Sequence, residues 1–325
     1  MPLRSHFFLN RGKDLQLTLS GLNDAYTYNI LIYAASTQTG DATNKRSFFF
    51  VKPRISVAYS PDQKRQTRFR IAREVSQLDF QDFVSSTIFE DDDLALGNPN
   101  LKPESTWVAE LSEERRFGEL SVLKLTLFHD WIDDVEDLLP LSPEFEAPGN
   151  IGKGRRWGVE VEGTVPLSGM GLENARLDIE ARVQDSTVED PVTGKDRVLS
   201  GEQNMSHPMP FRNENRWSIG AHFRQDFEDA RFAWGWDVRR RDNRYAYRVN
   251  EFVEYEDGVE VDVFIETTRW LGLKIKLEGA NLTNFDQSRY RTLYVGERDL
   301  SPVDVLEIRD RTDGRRLLLT VSGTF

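Results

Sequence analysis

The chain has no cysteine in 325 residues, so neither a disulfide framework nor a thiolate-bound metal can be built from it. Long hydrophobic runs are missing too. The densest apolar clusters, Phe48–Val51 and Leu138–Leu141, fall far short of the ~18 to 20 residues that a membrane-spanning helix needs. A helical membrane protein is excluded. Met1–Gln16 carries a basic residue or two but no apolar segment of roughly 7 to 15 residues and no small-residue cleavage site, so no export signal is expected within it. Positive charge is in deficit: 42 Lys and Arg face 54 Asp and Glu, for a net charge of −12, which argues against nucleic acid as a partner. The one dense basic run, Arg239–Arg244, is flanked by acids and reads as a solvated loop. His6, His129, His207 and His222 are scattered, none at metal-ligand spacing, and His129 and His222 read as strand residues. No cofactor is expected.

Helical periodicity is nearly absent as well, and alternation with a period of two stands in its place. Val259, Val261, Val263 and Ile265 alternate with Glu260, Asp262 and Glu266. The same pattern recurs around Trp157–Val165, Leu177–Val183, Trp217–Phe223, Phe232–Val238 and Leu273–Leu277, and it returns in the final Leu317–Phe325. Placing strands by this pattern gives about thirteen. Short turns fall near Leu22–Ala25, Pro61–Lys64, Phe117–Glu119, Leu167–Glu173, Phe227–Ala230 and Trp270–Gly272. Long connections alternate with them: Thr37–Lys45, Ser76–Pro103, Asp133–Asn150, Gln184–Asn213, Arg240–Gly258 and Phe285–Asp310. Short turns at one end and long loops at the other predict an all-β fold, an antiparallel up-and-down transmembrane β-barrel. Trp107, Trp157 and Trp217 fall near loop ends and Phe117, Phe227 and Trp270 near turn ends, as two interfacial girdles would.

Energetics assigns the faces. A charged side chain turned to lipid at the midplane costs roughly 2 to 4 kcal/mol, so Glu260, Asp262, Lys274 and Lys276 must face a lumen and the apolar residues lipid. Glu160 and Glu162 share one face, as do Glu260 and Asp262, and Arg176, Arg182, Lys274 and Lys276 on neighbouring segments are expected to balance them. Periodicity alone leaves a soluble β-sandwich open, because it alternates in the same way. Glu90–Asp93 lacks the spaced ligands of a calcium loop and reads as a solvated loop. No G-x-S-x-G nucleophile motif occurs, and no enzymatic activity is expected.

In Ala95–Trp107, "ALGNPNLKPESTW", Asn98-Pro99 is a turn-initiating pair, Leu101 an anchor, and Pro103 delivers an extended chain into the next strand. Gly97, Asn98, Pro99, Leu101, Lys102, Pro103 and Glu104 together resemble the barrel-loop motif of TonB-dependent outer-membrane receptors. Phe69–Ser86 is similar to the strand and loop that precede this motif in the family, Leu125–Leu141 to the following upward strand, Asn150–Gly163 to the next descending strand and Leu273–Arg291 to the penultimate strand, in the family's order. "LLLTVSGTF", with Leu317, Leu319, Val321, Gly323 and Phe325 alternating, resembles the C-terminal signal read by the outer-membrane barrel assembly machinery. The resemblance implies a place in the outer membrane of a Gram-negative bacterium and uptake of a scarce solute of the ferric siderophore, cobalamin or glycan class. It also implies outer loops that bind the solute, and a plug displaced through the TonB complex inside a barrel of about 22 strands. No plug, TonB box or export signal is recognisable here, so residues 1–325 are expected to be a single region, the C-terminal part of such a barrel, and not transport-competent alone. A passive porin-like or adhesin-like barrel and a soluble β-rich binding protein are the alternatives.

Overall fold

The computed structural model describes residues 14–32, 42–78, 87–90, 93–96, 98–117, 121–143, 145–201, 215–270, 272–312 and 314–323, with side chains from residue 48 onward outside 79–97. It is built of strands. The first are β1 (Asp14–Ile32), β2 (Ala42–Asp62), β3 (Arg65–Val75), β4 (Thr87–Glu90), β5 (Asp93–Leu96), β6 (Ser105–Phe117) and β7 (Ser121–Asp133). Next come β8 (Glu136–Pro140), β9 (Glu146–Asn150), β10 (Gly154–Pro166), β11 (Ala175–Glu189), β12 (Asp196–Arg197), β13 (Trp217–Phe227) and β14 (Phe232–Arg241). The last are β15 (Arg244–Tyr247), β16 (Glu251–Glu256), β17 (Glu260–Thr267), β18 (Lys274–Ala280), β19 (Asp286–Tyr294), β20 (Val303–Thr312) and β21 (Arg316–Ser322). No described helix is long and apolar enough to cross a membrane.

The main sheet is antiparallel and 13-stranded, in the order β1-β2-β3-β6-β7-β10-β11-β13-β14-β17-β18-β21 with β12 attached to β11. It is a meander, and it is open: β1 and β21 are its two edges. Five of the six expected turns fall between neighbouring wall strands. The sixth does not. Leu22–Ala25 lies inside β1, in continuous register with Lys52–Phe49 of β2. Its Asn23-Asp24 pair has turn chemistry, but a ladder that pairs every residue from Asp14 to Ile32 overrides it.

The expected long loops are largely strand as well. β4 pairs with β5, β8 with β9, and β15-β16-β19-β20 form a separate four-stranded sheet. That second sheet continues the wall. β14 leads into β15, β16 into β17, β18 into β19 and β20 into β21, and the order of the four is the same in both sheets. All four strands therefore break at one level, where the break is pinned by side chains. Asn281 and Asn284 take φ of 52° and 51°, and Gly314 takes 72°, the left-handed region that Asn and Gly tolerate. Asn281 donates its backbone N–H to Asp262 Oδ1 at 2.8 Å and its side-chain amide to Gly314 O at 3.3 Å, while Thr283 Oγ1 donates to Val259 O at 2.5 Å.

Across the wall the two faces separate as alternation predicts. Phe69, Leu111, Leu127, Val159, Val183 and Trp217 form one cross-strand row, and every member except Trp217 is well exposed. On the opposite face charges pair across strands: Arg70 with Glu110 at 3.0 Å and Lys124 with Glu162 at 2.6 Å between neighbours, and Arg224 with Glu266 at 3.1 Å over the intervening β14. The balanced network exists: Glu160 and Arg182, both of the expected set, stand directly opposite in register, and the other charges take other partners. Glu162 pairs with Lys124, directly opposite it in register; Glu260 and Asp262 pair with Arg239, Arg176 with Asp178, Lys274 with Glu266, and Lys276 with Glu278. Ladder register, which sequence spacing does not give, sets Lys124 opposite Glu162 and Arg239 opposite Glu260, whereas Arg176–Asp178 and Lys276–Glu278 lie two residues apart on one strand. On this face Phe264 crosses Gly235, where an added Cβ would lie 2.6 Å from the ring and 2.2 Å from Phe223 O. Glycine is required there by close approach.

Candidate functional site at the loop end

The motif loop enters β6 through a tight turn. Asn98 Oδ1 accepts the Asn100 N–H at 2.8 Å, and Asn98 O accepts the Leu101 N–H at 3.0 Å. Gly97 lies outside the described residues, as do Phe325, His6, His207 and Asp91–Asp92; Glu90 and Asp93 flank the latter as the closing pair of β4 and β5. Leu101 is 1% exposed and Pro103 is buried, whereas Lys102 turns to solvent. Asn150 holds the backbone of Lys102 on both sides, accepting its N–H and donating to its C=O, each at 2.9 Å. A second bond from the Asn150 amide reaches Asp134 O at 2.9 Å and ties the motif to the following loop.

Glu104 is buried and interlocks with Glu136 on β8. Glu104 N–H donates to Glu136 Oε1 at 2.9 Å, Glu136 N–H donates to Glu104 Oε2 at 3.2 Å, and Ser76 Oγ also donates to Glu136 at 2.7 Å. Beside this junction Ile132, Val135, Val188 and Leu199 form a buried apolar cluster with Ile151 against it. The loop ends of β7 and β11 and the loop residues beside them hold this core.

Above it four loops meet at buried charges. Arg197 donates to Asp137 and to Asp190, each at 2.7 Å, and Arg298 donates to Asp190 at 2.5 Å and to Arg248 O at 3.0 Å. The ring of Tyr247 faces both guanidinium groups, 4.2 Å from Arg197 and 5.2 Å from Arg298. Glu146 on β9 accepts the Val249 N–H at 2.7 Å, which holds the β15–β16 tip down. Burial pushes the Asp190 carboxyl up, but the Thr193 amide and the two arginines outweigh it and leave it below the ordinary aspartate range. Burial raises the Tyr247 phenol to about 12 against the opposing pull of Arg197 and Arg298. Burial, then the hydrogen bond to Asp299, raises Tyr294 to about 12.

Glu136, Asp137, Asp190, Arg197, Tyr247 and Arg298 carry no local sequence signal; Arg298 and Asp190 lie 108 positions apart. The Arg239–Arg244 run is not a solvated loop. It straddles the break between β14 and β15, where Arg241 meets Asp257 at 2.7 Å and Arg244 lies 3.9 Å from the same carboxylate. Its acidic neighbours are its partners. Trp107, Trp157 and Trp217 lie at loop ends and Phe117, Phe227 and Trp270 at turn ends; Trp131, register partner of Trp107, joins the first group unforeseen. His129 and His222 both lie on strands, His129 on the apolar face and His222 on the charged face beside Phe264. Among the described residues no group of three or more His, Asp or Glu is placed to hold a metal ion. What the loop end offers is a charge-balanced frame in which buried arginines tie four loops together around Tyr247.

Comparison with known proteins gives this architecture relatives. The family description "TonB dependent receptor-like, beta-barrel" matches residues 7–293. Among solved structures, the copper transporter OprC aligns at 12% identity and a TM-score of 0.63, over 97% of this chain and 46% of its own. The FrpB iron transporter from Neisseria meningitidis aligns at 14% identity and a TM-score of 0.55, over 95% of this chain and 43% of its own. The ferric-catecholate import receptor Fiu from E. coli K12 aligns at 13% identity and a TM-score of 0.56, over 96% of this chain and 42% of its own. The chain thus spans less than half the length of these proteins. No curated protein sequence matches it.

Proposed function

Since the chain belongs to the TonB-dependent receptor β-barrel family, we propose that it is the C-terminal part of the barrel of an outer-membrane receptor for a scarce metal chelate, of the ferric siderophore class. The observation that carries the reading is the separation of faces. An apolar band faces out at Leu111, Leu127, Val159 and Ile265, and a paired-charge wall faces in at Arg70–Glu110, Lys124–Glu162 and Arg224–Glu266. Outward charge would cost ~2 to 4 kcal/mol per residue at the midplane, whereas paired inward charge is compatible with a polar lumen. Names of structural neighbours, an iron transporter, a ferric-catecholate import receptor and a copper transporter, support the metal-chelate class.

In this reading the wall lines the path, and the loop frame around Tyr247, Arg197 and Arg298 holds the recognition surface above it. Energy coupling would come through the TonB complex by way of a plug that these residues do not supply. The final strand supports a further assignment. Leu317, Leu319 and Val321 are exposed on the outward face, in register with Gly279, Leu277 and Ile275. With Gly323 and Phe325 they form the signal offered to the barrel assembly machinery.

The test combines location and transport. Envelopes from cells producing the protein from its own gene should yield it in the outer-membrane fraction with heat-modifiable gel migration. Deleting the gene should abolish uptake of one radiolabelled ferric chelate. Recovery in the soluble fraction, or unchanged uptake of every chelate tried, would contradict the proposal. Removing Phe325 should lower the assembled amount, and an unchanged amount would refute the signal assignment.

A further inference from the structure

The following rests on the membrane reading above. On the outward face one cross-strand row at the loop end reads Arg73, Trp107, Trp131, Arg155, each in register with the next. One row toward the turn end, His129 stacks on Trp157 at 6.2 Å and lies 4.3 Å from the Trp131 ring. Farther along the rim, the Arg240 guanidinium lies 5.9 Å from the Trp217 ring. Arg73, Arg155 and Arg240 each stand within two residues of the loop end of their strand.

These cations lack the partners that their counterparts have. Among the described residues neither the Arg155 nor the Arg240 side chain reaches a carboxylate, and Arg73 donates only to Ser105 Oγ, at 3.2 Å, leaving its buried Nε without an acceptor. His129 Nε2 is likewise buried and unpartnered. Asp185, the acid in the Trp157 row, lies 3.8 Å from Arg216. At the turn end the outward Arg115 has Glu113 at 3.3 Å, and inside the wall Arg70 and Arg224 each hold two carboxylates. An arginine at the hydrocarbon boundary reaches for the interface and favours an anion there. Its planar fork fits phosphate, and a tryptophan belt fixes the depth at which headgroups meet it.

We propose that this rim binds the phosphate groups of an anionic lipid in the leaflet at the loop end. Arg73 and Arg155 clasp it from either side of the Trp107–Trp131 pair, Arg240 holds a neighbouring headgroup, and His129 Nε2 is a polar group one row below. The test uses the full chain purified from membranes and reconstituted with headgroup-spin-labelled lipids, reading tryptophan quenching. Phosphatidylglycerol should associate at least about fivefold more strongly than phosphatidylcholine. The preference should fall to about one when Arg73→Gln, Arg155→Gln and Arg240→Gln are combined, be intermediate in each single variant, and survive in the triple lysine variant. Equal association in the native protein would overturn the proposal, as would a preference that the triple variant keeps or that millimolar inorganic phosphate abolishes. Chain-brominated phosphatidylcholine separates the two readings. If it quenches without any headgroup preference, only the present inference falls; if it does not quench at all, the membrane reading falls with it.

Discussion

Glu104 and Glu136 hold each other by the backbone: each buried carboxylate accepts the other's N–H, at 2.9 and 3.2 Å. Glu104 closes the motif loop and Glu136 opens β8, so this exchange fastens two consecutive loops at the rim of the wall. A carboxylate at each position suits this exchange, because a charged acceptor holds a backbone N–H more strongly than a neutral one.

Replacing Glu136→Ala removes the acceptor of both the Glu104 N–H and the Ser76 hydroxyl. The expected loss is about 2 to 4 kcal/mol, read as a lower urea midpoint of the reconstituted protein, with earlier proteolytic cutting of the loops. Ser76→Ala, which leaves the backbone exchange intact, should cost less than half as much.

Arg197→Met strands Asp137 in a buried site and leaves Asp190 with Arg298 as its one arginine, and the loop assembly should lose about 3 to 5 kcal/mol. Asp190 adds a pH dependence. Its folded pKa lies below the 3.8 of the unfolded chain, so its contribution is complete above pH 3.8 and is lost as pH falls through the lower folded value. Loop protease resistance should therefore persist in the native protein to a pH below that of an Arg298→Met variant, whose Asp190 has lost a partner.

Tyr247 and Tyr294 should ionise late. Both are raised to about 12, so each contributes stability fully present below an unfolded value of 10 and lost as pH rises through about 12. Absorbance titration at a phenolate wavelength should show two tyrosines titrating well above the others. Tyr247→Phe and Tyr294→Phe should each delete one of them.

Leu319→Arg puts a cation on the exposed apolar face, in register with Leu277, and should weaken folding into vesicles by about 2 to 4 kcal/mol. Thr320→Arg, one residue on and opposite Lys276, should cost far less. Equal penalties would mean that β21 does not present one face to lipid.

The wall was legible because each of its faces meets a single environment, and the alternation of Val261, Val263 and Ile265 with Asp262 and Glu266 needs nothing else to be read. β15, β16, β19 and β20 were hidden for the same reason. In β16 Val253 and Tyr255 share a face with Arg291 and Arg289, and Glu254 shares the other with Tyr290, so this sheet carries polar and apolar groups on both faces and any period is diluted. Turn composition misled at Leu22–Ala25, where long-range pairing outweighs local preference. At the loop end, Asn98, Leu101, Pro103 and Glu104 were readable as a local turn and entry. The partners that give them a purpose, Glu136 and Asn150, are brought close only by the fold.

The shared break in the four last wall strands has a consequence for inheritance and design. Because β18 runs on into β19 and β20 into β21 across a junction locked by Asn281, Asn284 and Gly314, the second sheet cannot be parted cleanly from the wall. A chimera cut there would separate residues that set each other's phase, and a slip of one position would turn every side chain above it over. The smallest exchangeable unit is a whole hairpin, cut at the short turns at the other end of the wall, so the loop-end strands travel together with the stretch of wall that carries them.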